Sequence, residues 1–495
     1  MRYGRQTRRA PRVAALPIII MVVLAVLVAG ALFVLVRMLF APRPQITLAK
    51  PFDVVGRNAP LALDVRDEHG LKHVRVAVEQ GGEERVVYEE TYDPPRPEVQ
   101  VRWSPAQDQK LRLKEGPGQL TATARNASWG NFFKGKTAML EKDFTARLVP
   151  PRLEVLTTQH YVNQAGCDMI VYRVTPPDAE TGVVVGDAFF KGAPMPGARQ
   201  PGTFFAIFAL PYDMDPDTPI RLRARDEAQN ESLANFWLKV FPRRFRTRTL
   251  ELDDAFLQKV VPEIMSQTGL PDQGDLLKNY LVINRELRKR NNEALAELAS
   301  RSPAEFLWRE PFQQLAGSQV EAAFADHRIY TYKGEEVDRQ DHLGYDLATT
   351  AQAPVTASND GRVVKAEFFG IYGNTIVIDH GHGLLSLYGH LSSFAVNNGD
   401  SVKKGQTIGR SGATGLAGGD HLHFSMVYQP TQVNPTEWWD AHWLEDRIFA
   451  KLRQYGSGDL PGTKAGGSAA ASPPASVDSS LDVPVGRPAL LHGPM

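Results

Sequence analysis

Cysteine is almost missing from this chain: Cys167 is the only one in 495 residues. No disulfide can form within the chain, and a cysteine-based zinc site is excluded. Any tightly held metal must rest on histidine and carboxylate. Net charge is missing too. Lys plus Arg number 56 and Asp plus Glu number 56, so no bulk positive field points to a nucleic-acid partner. Cys167 itself reads as a small buried hydrophobe rather than a nucleophile. The apolar and charged fractions are ordinary for globular protein, and a chain this long divides into about three or four domains.

What is present begins with an asymmetric N-terminus. Arg2, Arg5, Arg8, Arg9 and Arg12 precede an uncharged run from Val13 to Val36. A helix needs about 20 residues at 1.5 Å rise to cross the hydrocarbon, and this run exceeds the roughly 7–15 apolar residues of a secretory signal. The expectation is a basic cytoplasmic segment over 1–12 and a single-pass anchor over 13–40. The arginines stay inside and everything after Arg43 faces outward.

Residues from about 45 to 245 read as strands. Leu61–Val65 and Val74–Val78 alternate apolar and polar, as half-buried strands do. A weak repeat is visible: Leu120–Ser128 parallels Ile220–Ala228, and each copy leads to an aromatic pair, Phe132-Phe133 and Phe236-Trp237, expected on short strands. A period of about one hundred residues suits two immunoglobulin-like sandwiches, over 45–150 and 151–246, with one larger β domain as the alternative. A helical stretch over 250–316 follows. Asp253 and Asp254 suit a helix start, Gly269-Leu270-Pro271 ends that piece, and a second helix is expected from Asp275 to Ala299. Its role is left between a spacer and a lid. From 317 to 445 short strands separated by glycine turns predict an antiparallel sheet. The Trp438-Trp439 and Trp443 cluster reads as the closing edge of that domain's core. Residues 455–495 are rich in Gly, Ser, Ala and Pro and are expected to stay unfolded. The predicted fold class is therefore mainly β and multidomain, behind an N-terminal transmembrane helix.

The chemistry concentrates in the histidines. In His421-Leu422-His423-Phe424 the two imidazoles share one face of a strand while Leu422 and Phe424 face a core. One ring can bind a metal, and the other then sits beside it, where an attacking water would be. His342 and Asp346, about eighty residues upstream, are separated by Gly344, which favours a loop running into a strand over a helix. Catalytic zinc takes three protein ligands and keeps a position for water. His342, Asp346 and one of the late pair make such a set. His390, at the end of another expected strand, can orient the water or stabilise an oxyanion. His380-Gly381-His382 repeats the spacing of the late pair but sits among turn residues, and is expected to be a solvated turn. His160, His327 and His442 read as surface or packing residues.

The ordered set His342-x-Gly344-x-Asp346-x-Ala348, Pro354-Val355, Gly361-x-Val363, Tyr372-Gly373-Asn374, Tyr388-x-His390-Leu391 and His421-Leu422-His423-Phe424 resembles the M23 family. These are LytM or lysostaphin-type metallopeptidases that cut peptide cross-links in bacterial peptidoglycan, and the resemblance covers about a quarter of the chain. It implies one zinc ion per chain held by His342, Asp346 and His423. It implies His390 and His421 as catalytic histidines, with His421 the general base. The implied fold is a small antiparallel β domain with a groove over the sheet, walled in part by Ser411 to Gly419. Some relatives have lost ligands and only activate other wall hydrolases, whereas all five positions are filled here. Two positions depart from the family's usual pattern: Asp420 stands where proline is frequent, and Ser425 where glutamate is common. The resulting expectation is a zinc endopeptidase of the bacterial inner membrane. Its catalytic domain lies in the periplasm, its substrates are peptidoglycan stem or cross-link peptides, and other wall or division proteins are candidate partners of the sandwiches. The alternatives are a non-enzymatic regulator that activates another hydrolase, and an envelope scaffold.

Overall fold

The computed structural model describes residues 15–105 and 113–463. The basic segment 1–12 and residues 464–495 of the expected tail lie outside the described residues. The apolar run forms a helix, Ala15–Leu39, with Arg37 in its last turn. No residue from Pro17 to Leu39 is buried by the rest of the protein.

The chain is mainly β. Leu61–Gln80 and Glu83–Trp103 pair as one long antiparallel hairpin, so the two short alternating runs in the first of these belong to a single strand. The first part of that strand also pairs with Gln45–Leu48 and its second part with Gly116–Asn126, with a shift of register on either side of Leu71. Because one strand passes from face to face, a single six-stranded sheet curls around one core that includes Leu63, Val76, Leu120 and Phe144. The next domain is built from two separate four-stranded sheets. Glu180–Val185 and Ile220–Arg225 are central in one, Cys167–Thr175 and Thr203–Ala209 in the other. Val171, Val183, Phe205 and Leu222 fill the space between them.

The aromatic pairs of the repeat are not on strands. Phe132 and Phe133 lie in a tight turn with left-handed backbone (φ 53° and 67°), and Phe236-Trp237 form an irregular link between Glu231–Ala234 and Lys239–Phe241. The turn is closed by backbone bonds Phe133 N to Trp129 O and Gly135 N to Gly130 O, which leave no room for a ladder.

The helical segment starts where the capping residues place it. Asp253 accepts from Phe256 N at 2.7 Å, and Gly269 closes the helix Asp254–Thr268 in the left-handed conformation that glycine adopts without strain. Asp275 caps the second helix, which runs through Leu276–Val282 and Arg288–Ser300 with one wide π turn, Ile283–Leu287, between them. Leu257, Val260, Val261 and Ile264 of the first helix share a core with Tyr280, Leu295 and Val377, so these helices pack on the last domain.

That domain holds an eight-stranded sheet. Its centre is antiparallel: Tyr345–Ala348, Leu422–Tyr428, Leu384–Gly389, Asn374–Asp379 and Gly361–Phe368, in that order. A smaller sheet sets Thr247–Leu252 beside Asp326–Tyr332 and Glu335–His342. Trp438 is fully buried at the domain's edge against Trp308 and Phe312. The second sandwich docks here directly. Phe190 stacks on Tyr428, and the buried Glu437 carboxylate accepts from Asn163 Nδ2 and Cys167 N, both at 2.7 Å.

Two local expectations fail for one reason, which is cover from distant chain. His380-Gly381-His382 is not solvated. His380 is fully buried, with Nδ1 against Asp360 O (2.6 Å) and Nε2 against Ser386 Oγ (2.8 Å). His382 is wedged against Phe306 and Phe205. Burial lowers both imidazoles to about 4. The start of the segment expected to stay unfolded is packed as well: Leu460 is buried, and Gly462 N donates to Arg309 O.

Candidate metal centre

Register alone assembles the centre. Asp346 on Tyr345–Ala348 is the direct cross-strand partner of His423 on Leu422–Tyr428, and Gly389 flanks His423 on the other side. His342 ends the strand Glu335–His342 and turns through Leu343-Gly344 into the Asp346 strand. Gly344 is required by this approach, because a Cβ there would stand 2.5 Å from His423 Nε2. Leu422 and Phe424 point the other way, into the core.

Three atoms meet at one point. His342 Nε2 lies 3.0 Å from Asp346 Oδ1, His423 Nδ1 lies 3.0 Å from the same oxygen, and the two nitrogens are 3.1 Å apart. The outer hydrogen bonds fix which ring atoms face inward. His342 Nδ1 donates to Ala323 O at 3.0 Å, which leaves a lone pair on Nε2. His423 Nε2 donates to Ser425 Oγ at 2.9 Å, and that hydroxyl donates to Leu343 O at 2.6 Å, which leaves the lone pair on His423 Nδ1. Two imidazole lone pairs and a carboxylate oxygen thus converge in a buried pocket. Such a cluster of acceptors is repulsive unless a cation sits among them. The edges of this triangle are close to the ligand–ligand edge of about 3.3 Å in tetrahedral zinc with 2.0–2.1 Å bonds. The residues therefore fit a zinc ion, in the ligand set expected from the sequence.

The electrostatics agree with that geometry. Burial pushes His423 down to about 4, the facing Asp346 only partly offsetting it. His342 is lowered for the same reason. Both are neutral, as metal binding requires. Burial alone would raise Asp346, but the three imidazoles around it hold its carboxyl well below the usual range.

His421 and His390 stand beside the triangle. His421 donates from Nδ1 to Gly419 O (2.9 Å), and its Nε2 lies 3.4 Å from Asp346 Oδ1. Burial lowers this imidazole, yet its hydrogen bond with Asp346 and that carboxylate's charge outweigh burial, so its pKa is raised. His390 sits at φ 62° just past Leu384–Gly389, donates from Nδ1 to Thr414 O (2.8 Å), and packs 4.8 Å from His421 between ring centroids. Burial, followed by the neighbouring histidines, holds it well below its ordinary value. All five sequence-predicted residues are together.

Sequence reasoning missed Arg328. It lies on Asp326–Tyr332 and donates from Nη2 to Asp346 Oδ2 at 2.8 Å, fixing the carboxylate oxygen that the triangle does not use. Only the strand pairing that sets Asp326 opposite His342 brings it there. Ser425 was noted as a departure and proves to orient His423 directly. Asp420, the other departure, accepts from Ser411 Oγ (2.6 Å) and Gln352 N (2.9 Å), pinning the loop before the histidine pair.

A cleft of about 710 Å³ opens over the centre. Leu416 and Gly418 of the glycine-rich segment line it, together with Arg248, Arg288 and Arg328 and the carboxylates of Glu251 and Glu321. The helix Asp254–Thr268 grips the glycine-rich wall: Lys259 Nζ donates to Ala417 O (3.2 Å) and Gly418 O (3.1 Å), and Glu263 accepts from Gly415 N (3.2 Å).

Comparison with known proteins places this domain. Residues 340–435 match the family model described as peptidase family M23. The peptidoglycan DD-endopeptidase ShyA of Vibrio cholerae is 30% identical over 163 residues, 33% of this chain and 35% of that protein. The DD-carboxypeptidase/endopeptidase Mpg of Neisseria meningitidis is 40% identical over 94 residues, 19% of this chain and 22% of that protein. The chain thus spans about a third or less of the length of these relatives. A solved structure of a putative peptidase M23 from Pseudomonas aeruginosa is 19% identical, covering 56% of this chain and 94% of its own, with a TM-score of 0.34. With its fold, its converging donors and the matched segment, this chain carries a peptidase family M23 domain.

Proposed function

We propose that the protein is a membrane-anchored zinc endopeptidase that hydrolyses peptide cross-links of bacterial peptidoglycan from the periplasmic side of the inner membrane. The observation that carries this reading is the inward turn of three buried acceptor atoms, on His342, Asp346 and His423, each fixed by an outer hydrogen bond. Zinc held there would lower the pKa of a bound water to about 7 and polarise the scissile carbonyl. His421 serves as general base: its Nε2 carries the lone pair, and Asp346 stabilises the imidazolium that forms when it takes the proton. The same imidazolium then returns the proton to the leaving amine. His390, neutral and bonded through Nδ1, also offers a lone pair on Nε2. That state suits orienting a water by accepting its hydrogen and cannot donate to an oxyanion, so water orientation is the role we assign. The helix Ala15–Leu39 is long and apolar enough to span a bilayer, and the balanced charge gives no support to a nucleic-acid partner.

The test uses the full chain in detergent. Bound metal is measured, and the protein is incubated with cross-linked peptidoglycan. One zinc per chain is expected, with release of cross-link peptides that disappears in His423→Ala. Metal-free protein that cuts nothing yet activates a separate wall hydrolase would replace this reading with the regulator.

A further inference from the structure

The first domain carries an exposed aromatic turn that the peptidase does not use. Phe132 is 81% exposed, Phe133 63% and Trp129 43%. Soluble surfaces rarely set three large aromatics together in water. Asn131, Phe132 and Phe133 all have left-handed backbone (φ 52°, 53° and 67°), a conformation costly for side chains of this size. The turn spends that strain on holding both phenylalanines away from the domain's own core.

Its place relative to the apolar helix gives the reason. Trp129 meets Phe33 edge-on with centroids 6.2 Å apart, Phe133 packs 6.0 Å from Trp129, and the Arg37 guanidinium lies 6.0 Å from the Trp129 ring centroid. Phe33 is six residues inside the helix end at Leu39, about 9 Å along the axis at 1.5 Å per residue. The turn therefore lies beside the last apolar turns of the helix, at the depth of Arg37, the first charged residue after the uncharged run. Tryptophan and a snorkelling arginine mark this boundary in membrane proteins. The turn is also held firmly. Asn126 Nδ2 donates to Pro42 O (3.0 Å), just after the helix, and to Asp67 Oδ2 (2.8 Å), while Asn126 Oδ1 accepts from Lys136 N (2.8 Å). Lys134, exposed and next in the chain, supplies a cation at headgroup level.

We infer that the turn Trp129–Phe133 is a second membrane contact, in which Phe132 and Phe133 enter the lipid interface of the leaflet that holds the C-terminal end of the helix. It rests on the anchor reading of Ala15–Leu39. Two attachment points fix the tilt and the rotation of the first domain on the bilayer, so the peptidase is presented in one direction instead of swinging on a single helix.

The test uses the full chain in phosphatidylethanolamine–phosphatidylglycerol vesicles. A nitroxide is placed by Phe132→Cys, Leu27→Cys or Glu83→Cys, the last at the hairpin tip. The native Cys167 is buried and does not label. At Phe132 and Leu27, collision with lipid-soluble oxygen should exceed collision with a water-soluble nickel chelate severalfold, and at Glu83 the order should reverse. A label at Lys134→Cys should read interfacial depth in the native turn and move to the aqueous value when Phe132→Ser and Phe133→Ser are added. Phe132 reading like Glu83 while Leu27 reads lipid overturns the second contact. Low collision with both reagents at Phe132, the mark of cover by protein, overturns it as well. Leu27 reading aqueous overturns the anchor instead.

Discussion

Removing one hydroxyl that touches no substrate should weaken the metal site. Ser425 is fully buried, accepts from His423 Nε2 at 2.9 Å and donates to Leu343 O at 2.6 Å. In Ser425→Ala the buried imidazole N–H loses the acceptor that orients it. A buried donor left unpaired costs about 1–3 kcal/mol. The apo protein can relieve part of this by moving the proton to His423 Nδ1, where Asp346 Oδ1 accepts at 3.0 Å. That tautomer cannot bind metal, so the cost falls on the metal-bound state. Loss of an outer partner of this kind weakens metal binding by about 10–100-fold. Chelator competition on the purified chain measures it. Ser386→Ala is the control: Ser386 is equally buried on the neighbouring strand, but it bonds His380 Nε2 (2.8 Å) and Tyr388 Oη (3.0 Å). It should lose stability with unchanged zinc affinity. Zinc affinity in Ser425→Ala within twofold of the parent, or an equal loss in Ser386→Ala, would refute the reasoning.

Three further outcomes follow from the same structure. Gly344→Ala places a Cβ 2.5 Å from His423 Nε2 and 2.6 Å from Ser425 Oγ, so bound zinc measured by atomic absorption should fall below stoichiometric while the far-ultraviolet spectrum stays unchanged. Burial raises the Glu437 carboxyl from 4.5 to about 7. Its stabilising share is full below about pH 4.5 and is lost as pH rises through 7, by up to roughly 3 kcal/mol at about 1.36 kcal/mol per unit; in urea unfolding Glu437→Gln should gain on the parent at pH 8 and match it near pH 4.5. Lys259→Ala with Glu263→Ala frees the helix Asp254–Thr268 from the glycine-rich wall, and faster release of cross-link peptides is expected if that helix restrains the cleft; an unchanged rate would leave it a structural role.

How much of this was legible in the sequence depends on how far each feature reaches along the chain. Helix ends were legible, because Asp253, Asp275 and Gly269 act within their own turn. The mainly β character was legible from period-two alternation. The centre was legible for a different reason: each of its five residues sits at a strand end or on a strand face, where local spacing sets direction, and the family's order of motifs supplied the pairing that spacing cannot. Arg328 was not legible. A strand arginine has no local mark, and only the pairing of Asp326 with His342 carries it to Asp346. The two His-x-His pairs make the limit plain. His421-Leu422-His423 and His380-Gly381-His382 have the same spacing, and both are shielded from solvent. In the first, Leu422 lies in the core and turns both rings outward onto Asp346, at 3.4 and 3.0 Å. In the second, Gly381 sits at φ 88° with Glu305 O where a Cβ would be, and the two rings part, one to Ser386 and the other to Phe306. The residue between the histidines, rather than the spacing, decides whether a pair can converge on one carboxylate. An apolar side chain anchored in a core holds both rings to one face, and a glycine in a turn does not.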